Sequence, residues 1–459
     1  MALIIKNTLS QSLETFEPIN PPNVGLYTCG PTVYNYIHIG NCRAYVFTDV
    51  LKRYLSYRGY IVKHIMNITD IDDKTIKASI EQGITLRELT KVYTDEFYED
   101  LNSLNILPAS NYTLATDYIK EMLEIIETLI DKDYAYKMED GSIYFDISKD
   151  EEYGKLSHFK LENLKENAKG RLSSDEYDKE NANDFALWKA WDEKDGEVFW
   201  DPSDVLGKES VIGKGRPGWH IECSAMSMKN LGESFDIHTG GVDNIFPHHE
   251  NEIAQSECAT GKKFAKYFMH NEHLLVDNKK MSKSLGNFYT LSDLISKGIN
   301  PIAFRMWLYN SNYTTKANFT LESVAGTQIA LDKLKDFYLN LGDVIGVLNK
   351  EYKERFIEAL DNNLDTSKAM ALVWELTKDT EILDEDKKAT ILDFDQVLGL
   401  GLRKLYKKDI PEEIIILAKK REEYRENKNW AKSDEIRDII NEKGYEIKDG
   451  DQSYKITKL

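Results

Sequence analysis

Four residues of this 459-residue chain could share one metal ion. Cys29 ends the apolar stretch Val24-Gly-Leu-Tyr-Thr-Cys29, Cys223 follows a Gly-Trp-His-Ile-Glu run, and His248 and Glu252 lie four apart at the start of a predicted helix. That spacing puts an imidazole and a carboxylate on one helical face. Two soft thiolates with an imidazole select zinc over magnesium or calcium. Spacing alone leaves the set open: Cys29 and Cys223 are far apart in the chain and each could be an ordinary buried thiol, and His249 competes with His248. Cys42 and Cys258 read as small hydrophobes on helix faces.

A second constellation suits a nucleotide. His38-Ile39-Gly40-Asn41 lies where a loop becomes a helix: Gly40 allows close backbone approach, the helix N-terminus favours phosphate, and an imidazole can donate to developing negative charge. A lone histidine there also reads as a simple cap. Lys280-Met281-Ser282-Lys283-Ser284, followed by Leu285-Gly286-Asn287, has two lysines three apart between hydroxyls and a glycine. Such a loop suits a movable clamp on a leaving triphosphate; the plainer reading is a solvated basic loop. Each segment follows a strand of an α/β pattern, and that pairing favours the nucleotide reading.

These groups need a frame. Val24–Cys29, a helix-period stretch from about Ile37 to Tyr57, and Ile61–Ile68 after Gly59 form a strand–helix–strand unit, hence a parallel pair with ligands at the strands' C-terminal ends. Residues 85–130 read as helical, and about 140–215 as a polar, aromatic-rich insertion with a strand candidate at Gly141–Asp146. The α/β pattern resumes with a strand at Ser234–Thr239 running into Gly240-Gly241, a helix starting near Pro247, and a strand at Tyr267–Val276. From Leu291 the periodicity is helical, in two bundles split near Ile410-Pro411, and Tyr445 to Thr457 reads as a terminal hairpin. The expected fold class is therefore α/β: a Rossmann-like parallel-sheet catalytic domain with an insertion, then a helical bundle and a small C-terminal α+β unit. The boundaries are 1–110 and 215–290 for the two halves of the catalytic domain, 111–214 for the connective insertion, 291–408 for the helical region and 409–459 for the C-terminal unit.

Composition narrows the partners. The length suits about three domains at ~150 residues each. No apolar run approaches the roughly 18 residues of a membrane span, and the start, MALIIKNTLSQSLETFEP, lacks a basic n-region and a small-residue cleavage site, so a cytoplasmic protein without a membrane partner is expected. Four cysteines in so long a chain are no disulfide framework. The net charge of −19, from 59 Lys+Arg against 78 Asp+Glu, excludes sequence-blind binding to nucleic acid. The charge is uneven, because residues 401–459 carry 15 Lys+Arg against 13 Asp+Glu. The run Lys419–Arg437 there offers basic groups with Tyr424 and Trp430 as stacking platforms; for Trp430 and Ile436 the favoured reading is core packing in a solvated helix.

The His38–Asn41 tetrapeptide and the Lys280–Ser284 loop resemble the two signatures of class I aminoacyl-tRNA synthetases. Longer strings narrow the resemblance to the cysteine-specific family: Tyr27-Thr-Cys-Gly-Pro-Thr-Val-Tyr34, Asn67-Ile-Thr-Asp-Ile-Asp-Asp-Lys74, Gly215-Arg-Pro-Gly-Trp-His-Ile-Glu-Cys-Ser-Ala-Met226 and Phe246-Pro-His-His-Glu-Asn-Glu-Ile-Ala-Gln-Ser256. Asn41 stands where the signature more often has a second histidine; its amide can still donate to a phosphate oxygen. The stretch Trp191–Gly213 exceeds the family's usual approach to the 215–226 string and reads as a surface insertion.

The resemblance implies an ATP-dependent, AMP-forming ligase that activates L-cysteine and transfers it to cysteine tRNA. It settles the zinc ligands as Cys29, Cys223, His248 and Glu252, one ion per chain, with the zinc selecting the substrate thiolate and Mg²⁺ arriving with ATP. It implies catalytic roles for His38, Lys280 and Lys283. The ATP site would add Asn41, Gly240 and Asp243, the last at the ribose, and the amino-acid side would use Cys29, Gly30, Thr69 and Trp219. The C-terminal unit would read the anticodon, and the chain would act as a monomer. Two alternatives remain: a cysteine ligase acting on an amino sugar, and a non-catalytic RNA-binding descendant of a synthetase.

Overall fold

A computed structural model describes residues 2–159, 184–281, 286–405, 411–449 and 454–458. The chain divides into two compact units, Met1–Leu402 and Arg403–Leu459.

In the first unit, β1 (Ile4–Asn7) and β2 (Ser12–Thr15) form a hairpin ahead of β3 (Asn23–Thr28) and β4 (Ile61–Ile68). The last five residues of β4 are all buried, which is how a strand covered on both faces reads. The helix Ile39–Tyr57 connects β3 to β4, two residues shorter at its start than its periodicity predicts because His38 is its cap. β5 (Asn111–Leu114) extends the sheet beyond β4, inside a stretch expected to be helical. Four residues between the helices Leu86–Ser103 and Ile119–Asp131 carry too little pattern to be read as a strand.

β6 (Ala135–Lys137), β7 (Ile143–Phe145), β8 (Phe185–Ala190) and β9 (Gly215–Pro217) form an antiparallel sheet, so the insertion's sheet takes its last strand from past the expected boundary at residue 214. The expected surface insertion at 191–213 is partly interior: Ile212 is buried, and Val198, Trp200, Val205 and Leu206 pack against the main core.

β10 (Phe235–Gly241) and β11 (Ala265–Asn271) then return to the main sheet, whose order is β11-β10-β3-β4-β5 with every pair parallel. Chain order runs outward from β3 in one direction and from β10 in the other. The topological switch point therefore falls between β3 and β10, and ligands of open α/β sheets bind at the carboxyl ends of such a pair. The strand expected over 267–276 is two strands: Glu272-His273 breaks it, and β12 (Leu274–Val276) joins β13 (Lys279–Lys280) and β14 (Ala317–Phe319) in a separate small sheet.

The remainder of the unit is mainly helical, and it is welded to the sheet. Asp49, on the helix after β3, sits between Arg53 at 2.7 Å and Arg305 at 2.5 Å, all three buried. Arg305 also donates to the carbonyls of Leu104 and Leu398 at 2.9 Å. Removing one partner of such a buried set costs about 3–5 kcal/mol, because a charge is left uncompensated.

The second unit has its own core of Ile414, Ala418, Ile436, Ile440, Tyr445 and Ile447. It consists of the helices Glu412–Glu426 and Trp430–Glu442 and the antiparallel pair β15 (Tyr445–Asp449) and β16 (Tyr454–Lys458), the expected hairpin. Ile436 is core as expected. Trp430 is not: it is 57% exposed, because it is the first residue of its helix and lies off the packed face.

Candidate functional site

Cys29 and Gly30 follow β3, and Gly240 and Asp243 stand at and just past the end of β10, so both segments meet at the switch point. Gly30 donates its N–H to Asn67 Oδ1 at 2.8 Å, and a Cβ on it would lie 1.7 Å from the Asn67 carbonyl oxygen. Only glycine lets β3's exit run so close to β4. Cys223 comes from the helix Trp219–Leu231, Glu252 from the helix Glu250–Thr260, and His248 from the turn Ile245–His249 that leads into it, so the helix expected near Pro247 begins three residues later.

The ligand atoms of Cys29, Cys223, His248 and Glu252 all lie within 4.8 Å of one another. The two sulfurs are 3.9 Å apart, and His248 Nε2 is 2.9 Å from Glu252 Oε1. Two thiolates bound ~2.3 Å from one tetrahedral ion lie ~3.8 Å apart, so the sulfur separation fits. Burial pushes the Cys29 thiol up, and its hydrogen bond with Cys223 adds to this. Burial also pushes Cys223 up, but hydrogen bonds from Cys29 and His248 outweigh it and bring it to about 6. Burial lowers His248, yet the Glu252 carboxylate and Cys223 carry it to about 10. Left to itself the cluster keeps protons on Cys29 and His248; a dication among the four donors would displace both. The residues present fit a thiophilic metal.

His249, the rival of His248, belongs to a second overlapping set: Cys29, His238, His249 and Glu252 also have ligand atoms within 4.8 Å. Cys29 Sγ is 3.2 Å from His249 Nε2. This set offers a single sulfur, and its imidazoles have work of their own. His238 Nε2 is 2.7 Å from Glu252 Oε2, and His249 Nδ1 is 2.8 Å from His270 Nε2, whose other nitrogen meets Thr8 Oγ1 at 2.7 Å. His238 is placed to orient the Glu252 carboxylate from behind. Gly240 is tied to the same shell, since a Cβ there would lie 2.7 Å from the His249 ring.

On the amino-acid side, Thr69 is buried and donates from Oγ1 to Glu222 Oε2 at 3.0 Å, while accepting from Asn67 Nδ2 at 3.2 Å. Trp219 stacks on His248, with ring centroids 4.0 Å apart and planes 16° from parallel. His220 Nδ1 also meets His248 Nδ1, at 2.9 Å. Glu222, His220, His238 and His270 were not singled out from sequence. The signal available was a polar residue in an apolar strand or helix, as at His238 in β10.

Described residues that follow the second nucleotide signature reach the first. His38 caps its helix: its Nδ1 accepts from the Asn41 N–H at 3.2 Å, and the Asn41 Oδ1 accepts from the His38 N–H at 3.1 Å. The Ile39 N–H donates to the Tyr289 carbonyl at 2.9 Å, and the His38 ring meets Phe288 edge-on at 5.3 Å, so the segment after Lys280 returns beside the helix start. Lys280 is 75% exposed at its side chain, with Nζ 3.6 Å from Asp243 Oδ1. Lys283 lies outside the described residues. In the second unit, Arg425 lies 5.9 Å from the exposed Trp430 ring, and Lys432 lies 5.3 Å from the ring of Tyr424, which packs against the core there.

Residues 15–328 match the family model for the class I (C) tRNA synthetase catalytic domain. The cysteine–tRNA ligase of Protochlamydia amoebophila (strain UWE25) is 45% identical over 475 residues, covering 99% of this chain and 98% of that one. That of Brachyspira hyodysenteriae (strain ATCC 49526 / WA1) is 45% identical over 476 residues, with the same coverage. Among solved structures, the Mycobacterium tuberculosis methionyl-tRNA synthetase in complex with methionyl-adenylate has a TM-score of 0.56 at 14% identity, covering 82% of this chain and 90% of that one. The Agrobacterium radiobacter K84 LeuRS–tRNA–LeuAMS ternary complex has a TM-score of 0.58 at 12% identity and 84% of each chain. These two likenesses concern the fold. A class I catalytic match over most of the chain and full-length relatives of one kind agree with the arrangement at the switch point: the chain belongs to the cysteine–tRNA ligase family of class I aminoacyl-tRNA synthetases.

Proposed function

We propose that the chain activates L-cysteine with ATP and transfers it to the 3′ end of cysteine tRNA. A cysteine carboxylate oxygen attacks the α-phosphorus, the bond to the β-phosphate oxygen breaks, and pyrophosphate leaves with Mg²⁺. A ribose hydroxyl of the tRNA then attacks the acyl carbon, and AMP leaves. The observation that carries this reading is the convergence of Cys29, Cys223, His248 and Glu252 with the His38 helix start at one switch point, in a member of this family.

Little covalent help is needed; positioning and charge stabilisation do the work. Cys29, Cys223, His248 and Glu252 would hold zinc, which when bound supplies a soft partner for the substrate sulfur. An apolar pocket separates cysteine from its hydroxyl isostere only about 10²-fold, so selectivity must come from such chemistry. His38 and Asn41 serve the phosphates at a helix N-terminus. Lys280 and Lys283 stabilise the charge on the transferring and leaving phosphates, Asp243 takes the ribose beside Gly240, and Gly30, Thr69 and Trp219 border the cysteine. We assign the work to a cytoplasmic monomer, since one chain carries both halves of the site and no helix among the described residues is long and apolar enough to cross a membrane. Of the expected 111–214, β5 belongs to the main sheet, so the connective insertion is assigned to the residues after it together with β9; 291–408 is assigned as the helical region that contacts the tRNA stem, and 409–459 as the anticodon-binding unit, where the exposed Trp430 beside Arg425 supports the role.

The decisive measurement is cysteine-dependent ATP–pyrophosphate exchange, followed by transfer of labelled cysteine to cysteine tRNA or to an amino-sugar amine. Exchange with transfer to tRNA is expected. Exchange with transfer only to the amine would make the chain a sugar-directed ligase, and no exchange would leave a silent descendant.

A further inference from the structure

His273 stands at the nucleotide edge outside every motif of the sequence. It occupies the corner between β11 and β12, with its side chain 28% exposed. Its Nε2 is 2.9 Å from Asp243 Oδ1, and its Nδ1 is 3.2 Å from Glu272 Oε2, which also accepts from the His273 N–H at 2.9 Å. The corner itself is pinned. Arg43, 3% exposed and two residues beyond Asn41, donates from Nη1 to the carbonyls of Glu272 at 2.8 Å and His273 at 2.6 Å, and from Nη2 to those of Asn312 and Thr315. A buried guanidinium committed to four carbonyls leaves the backbone beneath His273 little freedom.

Among the described residues Asp243 has no such backbone clamp of its own. It sits in the short turn Val242–Asn244 with its side chain 67% exposed, where a carboxylate can sample several rotamers. The imidazole bond selects one. Lys280 and His273 both approach Oδ1, so Oδ2 keeps its accepting capacity.

We propose that His273 is a positioning residue for ATP: anchored by Glu272 and the Arg43-clamped corner, it holds the Asp243 carboxylate where it accepts from the ribose hydroxyls. The ribose subsite is then Asp243 with His273 behind it. This rests on the ligase reading above and adds a residue to its nucleotide site.

The test is pyrophosphate exchange by the full chain with ATP and with 2′,3′-dideoxy-ATP, for the wild type and for Asp243→Ala, His273→Ala and His273→Gln. Losing the orienting hydrogen bond should raise the KM for ATP about 5- to 10-fold in His273→Ala, with kcat and the KM for cysteine within about twofold of the wild type. Glutamine, whose amide nitrogen can stand near the position of Nε2, should restore most of the affinity. With the dideoxy nucleotide, the penalties of both Asp243→Ala and His273→Ala should vanish. A His273→Ala penalty that persists on the dideoxy nucleotide, or that falls on kcat or on cysteine, overturns the proposal while leaving the ligase reading intact. So does an Asp243→Ala penalty that persists there. A wild type without exchange overturns the ligase reading and this proposal with it.

Discussion

The two halves of the site are built by opposite rules. On the sulfur side the groups are largely enclosed: Cys223, His248 and Glu252 are at most 1% exposed, Cys29 is half-buried, and His238, His220 and Trp219 back them through hydrogen bonds or stacking. On the phosphate side the charged groups stand in solvent, Lys280 at 75% and Asp243 at 67%, and lean on one another across 3.6 Å. Discrimination between cysteine and serine needs fixed donors, because a soft bond is won or lost over fractions of an ångström. Neutralising a leaving pyrophosphate needs charge that can arrive late and depart with the product, which a long exposed lysine provides at little cost.

The largest effect that would break this contrast lies on the enclosed side. Removing the metal with a chelator, or making Cys223→Ala, should reduce the preference for cysteine over serine from about 10⁴–10⁵ to about 10² or less in competitive exchange. Circular dichroism should show the fold retained; undiminished selectivity in metal-free protein would refute the role given to the cluster. Lys280→Ala should come next. It should lower kcat for exchange about 10²-fold while cysteine binding, followed by calorimetry, stays within a factor of two. Weakened cysteine binding with normal turnover would mean that the exposed side also shapes the amino-acid pocket.

The smallest effect sharpens the contrast from below. His64 is buried under the switch point, 3.0 Å from Thr28 Oγ1, and burial holds it down to about 3 against an ordinary value of 6.5. Below pH 6.5 the unfolded chain takes up a proton that the folded chain refuses, so this histidine's contribution is present above 6.5 and is lost as the pH falls toward 3. Between pH 7 and pH 5 the wild type should lose about 2 kcal/mol more stability than His64→Gln in denaturant titrations. Equal losses would show that the floor of the site is open to solvent.

What the sequence revealed follows the same division. β3 and β4 were legible within a residue, because parallel strands buried on both faces leave apolar runs, one ending before Gly30 and the other starting after Gly59. The four metal-site candidates were legible as residue types, and the His248–Glu252 pair as a spacing. The choice between His248 and His249 was not, since both rings are buried against Cys29's neighbourhood and only tertiary contacts separate them. His238, His249 and His270 form one shell from three segments, which no local pattern announces. No glycine or proline marks the break at Glu272-His273 in the sequence; Arg43, far away in the chain, holds the corner. Trp430 was misread because an aromatic in a charged helix is usually its packed face, and here it is the helix's first turn.

The buried set around Asp49 also limits where this protein could ever be divided. The helix that begins with the phosphate signature shares its aspartate with Arg305, and Arg305 in turn closes on the Leu398 carbonyl. A chain ending near residue 290 would keep every candidate catalytic residue and lose the cation that neutralises Asp49 from outside its own helix. The boundary between chemistry and support, drawn easily along the sequence, therefore does not exist as a cut: the helices after residue 300 are part of what the active site stands on, and they could be exchanged between relatives only together with the helix they hold.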